Sequence, residues 1–76
     1  MNNGGEEMTD LRKTVLTQLE QSSMDVFTLS RKLNVDLSEL ANEFNMLLKA
    51  GYIIKIDNSF CLTERGRQYL EIEKKG

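Results

Sequence analysis

A chain of 76 residues without a single histidine carries few groups able to make or break bonds. Its one thiol is Cys61. A cysteine becomes a nucleophile or metal ligand where a nearby base or cation lowers its pKa. Cys61 instead lies between Phe60 and Leu62 in a strand-like run. It therefore reads as a half-buried structural thiol, packing as a small apolar group. A lone cysteine excludes an intramolecular disulfide, and the missing imidazoles exclude a zinc finger or a histidine-based triad. The five glycines fall near the start, at Gly51, at Gly66 and at the C-terminus, so none builds a phosphate-cradling loop. The expectation is a protein that is not an enzyme, with no cofactor and no metal.

Recognition chemistry is better represented, in "DLSELANEFNMLLKAG", residues 36–51. Leu37, Leu40, Phe44, Leu47 and Leu48 recur at helical spacing and predict a buried stripe. Asp36 stands where an N-cap belongs, Glu39 occupies the capping-box position three residues on, and Gly51 is a stop signal. The opposite face carries Glu39, Asn42, Glu43 and Met46, with no arginine in the segment.

That helix needs neighbours to position it. Residues 1–8 lack periodicity and predict a disordered tail, leaving 9–76 as a single domain. Thr9 or Asp10 can cap a first helix whose Leu11, Val15, Leu16 and Leu19 share one face, ending near Gln21. Asp25 caps a short second helix with Val26, Leu29 and Leu33 at i, i+3 and i+7. Asn34 suits a left-handed corner before the third helix, and Val35 can fill the space between the two. After Gly51 the pattern changes to "YIIKI", turn chemistry in "DNS", and a returning "FCL", which predicts a β-hairpin. Thr63 then caps a last helix whose Tyr69 and Leu70 can dock on the core. The order is helix, helix, helix, hairpin, helix.

A hydrophobic fraction of 39% with 29% charged residues is ordinary for a soluble globular domain. No apolar run approaches the ~20 residues that span a bilayer, and none follows the first methionine as in a signal peptide. A cytoplasmic location and no membrane partner are the expectations. A core this small supplies only about 3–5 kcal/mol of net stability, which makes self-association a natural supplement.

The segments "LSRKLNVDLSEL", "LLKAGYI" and "FCLTERGRQYL" together resemble the winged-helix (winged helix-turn-helix) domains of small archaeal and bacterial transcription regulators. The likeness covers about residues 10–73, and "LTERGRQYL" after a hairpin is its most specific part. It implies an α+β fold with a three-helix core, a two-stranded β-hairpin wing and a C-terminal helix. It also implies duplex DNA binding and transcriptional control, with the third helix in the major groove. Carried over residue by residue, the DNA-facing positions are Ser38, Glu39, Asn42, Glu43, Asn45, Met46 and Lys49. Asn42 and Asn45 suit adenine edges and Ser38 a phosphate, while Arg31, Lys32 and Lys55 supply flanking phosphate contacts.

Charge pulls the other way. The net charge is −2, and residues 36–51 place three acids against Lys49 alone. Affinity for DNA rests on cations that neutralise phosphates. Two readings therefore stay open. One is a DNA-binding regulator, expected as a homodimer because one weakly charged module binds weakly alone. The other is a winged-helix protein-interaction module that docks a protein partner through Phe27, Glu43 and Met46. Arg31 and Lys32 fit plain solvated positions as well as phosphate contacts. Phe27 and Met46, both off the main apolar stripes, can mark a partner site or tuck against a loop.

Overall fold

A computed structural model describes residues 10–75. The expected tail over 1–8, and Thr9 as a cap, lie outside the described residues. Four helices and one antiparallel hairpin follow in sequence: α1 (Asp10–Gln21), α2 (Val26–Leu33), α3 (Leu37–Ala50), β1 (Ile53–Ile56), β2 (Ser59–Leu62) and α4 (Glu64–Lys75). Helix α1 packs on α4 and β2, α2 on α3, and α3 on β1.

Local chemistry sets each boundary. Asp10 lies within the first turn of α1, where a carboxylate complements the helix dipole. The Asp25 carboxylate accepts from the Thr28 backbone N–H at 2.7 Å and starts α2. Asn34 ends it in the left-handed region, at φ 57° and ψ 46°. The next amide, of Val35, donates to the Ser30 carbonyl at 3.1 Å, and the Ser30 hydroxyl returns to the Val35 carbonyl at 2.7 Å. This double tie closes the corner between α2 and α3.

Asp36 caps α3, its carboxylate accepting from the Ser38 hydroxyl at 2.6 Å and from the Ser38 and Glu39 amides. Only half of the expected capping box forms, because no hydrogen bond runs back from the exposed Glu39 carboxylate. Gly51, at φ 84°, ends α3, and the Tyr52 amide reaches back to the Leu47 carbonyl at 3.0 Å. A residue with a Cβ is penalised in that conformation.

The hairpin pairs Ile53 with Leu62, Ile54 with Cys61, Lys55 with Phe60 and Ile56 with Ser59, so its loop is Asp57 and Asn58. Cys61 is half-buried, as expected. The hairpin also has a third, one-residue neighbour. Met24, between α1 and α2, exchanges backbone hydrogen bonds with Phe60 in an antiparallel bridge, at 2.9 and 3.4 Å. Met24 is a single residue with no strand pattern around it, so nothing in the sequence marks this pairing.

Helix α4 is fastened to the junction after α3. The Thr63 hydroxyl donates to the Gly51 carbonyl at 2.7 Å and accepts from the Gly66 amide at 3.0 Å. The Thr63 amide donates to the Tyr52 carbonyl at 3.0 Å. Gly66 is buried against that same carbonyl, and a Cβ there would lie 2.1 Å from its oxygen. The "TERG" sequence thus owes its threonine to a cap and its glycine to a close backbone approach.

The core joins Val15, Leu16 and Leu19 of α1, Leu29 of α2, and Leu40, Phe44 and Leu47 of α3 to Ile53, Phe60 and Leu70. The rings of Phe44 and Phe60 meet edge to face at 4.6 Å, the favoured arrangement of their quadrupoles. Tyr69 stacks on Tyr52 and Leu70 is fully buried, as expected of α4. Two stripe residues depart from expectation: Leu37 and Leu48 are 39% and 36% exposed. Both sit at one edge of the α3 stripe, about 50° or more from its centre at 100° per residue, and the short elements beside them leave that edge uncovered.

Candidate nucleic-acid interface

The seven cationic or polar candidates, Arg31, Lys32, Ser38, Asn42, Asn45, Lys49 and Lys55, are all exposed. Ser38, Asn42, Asn45 and Lys49 share the outward side of α3, because offsets of three, four and seven residues return to one helix face. From Ser38 to Lys49 this side runs about 16 Å along the axis. Arg31 and Lys32 lie in the last turn of α2, next to the corner that leads to the Ser38 end.

Lys55 takes a different position. Its ammonium lies over the Phe60 ring, 5.8 Å from the centroid. There it lines a cleft of about 340 Å³ with Asp25, Val26, Phe27, Asn58 and Phe60. A second depression of about 140 Å³, bordered by Ala41, Phe44, Asn45 and Leu48, shares Val26 and Phe60 with the first. Val26 and Phe60 thus join the Lys55 cleft to the depression that Asn45 of α3 borders.

Glu43 departs from the solvent-face expectation. Its side chain is only 11% exposed and pairs with Arg12 of α1, Oε2 to Nε at 2.5 Å. The guanidinium continues past the pair, with Nη2 3.8 Å from the Met46 sulfur. The hydrogen bond with Glu43 raises the Arg12 pKa above its ordinary value, against an opposing effect of burial and with smaller help from Tyr69. Two caps are tuned the other way. Hydrogen bonds from the Thr28 amide and hydroxyl hold Asp25 below the usual carboxylate value, and the Ser38 hydroxyl with the Glu39 amide does the same for Asp36.

The protein-docking set is dispersed. Phe27 is 64% exposed on α2 beside the Lys55 cleft, Met46 is 53% exposed on α3, and Glu43 is tied back beneath it. Arg12 is the residue that sequence reasoning passed over. Its signal was its register: it precedes Val15, Leu16 and Leu19 by three, four and seven residues, which puts a charge on the buried face. A charged side chain there calls for a partner.

Among the described residues, no three histidine, cysteine or acidic side chains gather as a metal site, and no helix is long and apolar enough to cross a membrane. No family model matches the chain, and no curated protein or solved structure matches it either.

Proposed function

We propose that the chain is a winged-helix domain that binds duplex DNA as a cytoplasmic transcription regulator, with α3 entering the major groove. The observation that carries this reading is the pairing of Glu43 with Arg12. It removes the one carboxylate in the middle of α3 that would oppose phosphates. The outward side is left with Ser38, Asn42, Asn45 and Lys49, and with Glu39 near its first turn. In this reading Asn42 and Asn45 offer carboxamides to adenine edges, where the amide donor and acceptor match N7 and N6. Lys49, Arg31 and Lys32 neutralise phosphates at the two ends of the helix, and Lys55 does so from the wing. A homodimer supplies the second half-site that so few cations require.

A second reading, a protein-docking module, is favoured by one observation: Phe27 stands 64% exposed on the rim of the Lys55 cleft. Titration of isotopically labelled protein with generic duplex at low salt separates the two. The DNA reading expects amide shifts along α3 and at Arg31, Lys32 and Lys55. Replacing Arg31 and Lys32 by alanine should then reduce the log–log salt slope of binding by roughly 2, at about 0.9 for each phosphate no longer neutralised. Absence of any shift at low salt would sink the DNA reading and leave the Phe27 cleft as the surface to pursue.

A further inference from the structure

We propose that the outer edge of β1 is a self-pairing surface, at which two copies of this chain join antiparallel through Ile54, Lys55 and Ile56. The inference rests on the homodimer in the reading above and gives it a geometry that is measured without DNA.

The backbone of the hairpin leaves this edge open. Phe60 of β2 directs its amide and its carbonyl to Met24, at 2.9 and 3.4 Å. Lys55 stands opposite Phe60 in the ladder. Because the bonds of an antiparallel ladder alternate, Lys55 and Phe60 form a non-hydrogen-bonded pair, and the Lys55 amide and carbonyl face away from β2. The order across the sheet is therefore β1, β2, Met24, with β1 at one border. Among the described residues neither backbone group of Lys55 has a hydrogen-bond partner. Such an edge is a template for another strand.

The side chains fit this edge to a second copy of itself. Ile54 and Ile56 alternate with Lys55, so they share the face of the hairpin opposite the Phe60 side, and they are 48% and 53% exposed. A two-fold axis at Lys55 sets it against Lys55 of the second copy, the two exchanging both backbone hydrogen bonds. The same register sets Ile54 against Ile56 of the second copy, twice, in the closer non-hydrogen-bonded pairs. Asp57 of the second copy falls diagonally beside each Lys55, within reach of a long side chain, so opposite charges offset the two lysines. A lysine on an edge strand ordinarily deters pairing. Here its ammonium is drawn over the Phe60 ring, on the face away from the isoleucines. The pairing thus takes up the backbone of Lys55 and leaves its ammonium beside the cleft. A strand of four residues is far shorter than the about 20–30 residues a side of a standard interface, so the dimer is weak and concentration-dependent.

The test is sedimentation equilibrium across a concentration series without DNA, using wild type, Ile56→Lys, Lys55→Pro and Ile72→Lys. Wild type should pass from monomer to dimer as concentration rises. Ile56→Lys alters both apolar pairs at once and should weaken dimerisation about tenfold or more. Lys55→Pro removes an amide that only the second copy uses, at an edge position where proline is tolerated, and should act likewise. Ile72→Lys, at an exposed isoleucine of α4, should change nothing. The register is read from Ile54→Cys and Ile56→Cys chains, each with Cys61→Ser, under mild oxidation. A mixture of the two should yield more disulfide-linked dimer than either alone. Should Lys55→Pro fail to fold in a thermal melt, Ile56→Lys and the cysteine mixture carry the decision. A wild type that stays monomeric throughout, a dimer indifferent to Ile56→Lys, or a cysteine mixture that links no better than its components overturns the inference. A monomer that still binds duplex leaves the DNA reading standing without this joint. A dimer of this kind that shifts no amide with duplex keeps the joint and removes the DNA reading.

Discussion

Gly66→Ala sets two effects of known sign against each other. In an exposed helix interior, alanine is favoured over glycine by about 1 kcal/mol. Gly66 lies in α4, so propensity alone says that the substitution stabilises. The packing says the reverse. The new Cβ would meet the Tyr52 carbonyl oxygen at 2.1 Å, its carbon at 2.9 Å and the Leu62 Cδ1 at 2.9 Å. Ordinary contact begins near 3.4 Å, so the methyl and the carbonyl must part by about an ångström. Neither is at the end of a flexible side chain. Moving the carbonyl also loosens the Thr63 amide, which donates to it at 3.0 Å. Overpacking of this kind costs about 1–3 kcal/mol or more, and a weakened hydrogen bond about 1 kcal/mol. Net of the propensity gain, a loss of about 2–3 kcal/mol is expected. At about 4–8 °C per kcal/mol for a domain of this size, the melting temperature should fall by roughly 10–20 °C. Thermal melts followed by far-ultraviolet circular dichroism measure this directly. A Gly66→Ala protein that melts at or above wild type would refute the close approach of α4 to Tyr52.

At the α2–α3 corner, Asn34→Gly should be neutral or mildly stabilising, while Asn34→Val should cost more than about 1 kcal/mol in urea unfolding, because φ 57° penalises β-branching. Equal stability of the two variants would remove the left-handed corner. The caps predict the acid limb of stability. Asp25 and Asp36 titrate lower in the folded than in the unfolded chain, so their contribution is complete above the unfolded carboxylate value of about 4 and is lost as the pH falls through the folded values. Asparagine caps nearly as well but does not titrate there. Asp25→Asn with Asp36→Asn should therefore leave the neutral-pH melt nearly unchanged and flatten its decline below about pH 4. An acid limb as steep as that of wild type would show that these caps do not set it.

Features encoded within a few residues were legible in the sequence. The caps Asp25, Asp36 and Thr63, the left-handed Asn34 and Gly51, and the change of period at Tyr52 each declare themselves locally, and the described element order follows them. Burial on α3 was legible only at its centre. Leu40, Phe44 and Leu47 are buried, whereas the exposure of Leu37 and Leu48 depends on which neighbours reach the stripe's edge. The candidate site was least legible where two distant segments meet. Glu43 reads as a surface acid from α3 alone, and only the docking of α1 brings Arg12 to it. Likewise Met24 finds Phe60 across 36 positions of chain, with no local pattern to announce the pairing. Such contacts follow from tertiary geometry, which overrides what a short window can hold.

The stacked pair Tyr52 and Tyr69 has an optical consequence. The chain contains no tryptophan, two tyrosines and three weakly emitting phenylalanines, so these two tyrosine rings dominate its intrinsic near-ultraviolet emission. They stand 4.2 Å apart and within 11° of parallel, with the Arg65 guanidinium 5.8 Å from the centre of the Tyr52 ring. Rings that close exchange excitation as one chromophore. Tyr52 follows α3 and Tyr69 belongs to α4, so the chromophore exists only while the C-terminal helix is seated. Unlabelled protein therefore carries a built-in gauge of one joint, blind to the hairpin tip and to the α2–α3 corner, and its spectrum reports whether that helix lifts when the rest of the molecule is engaged.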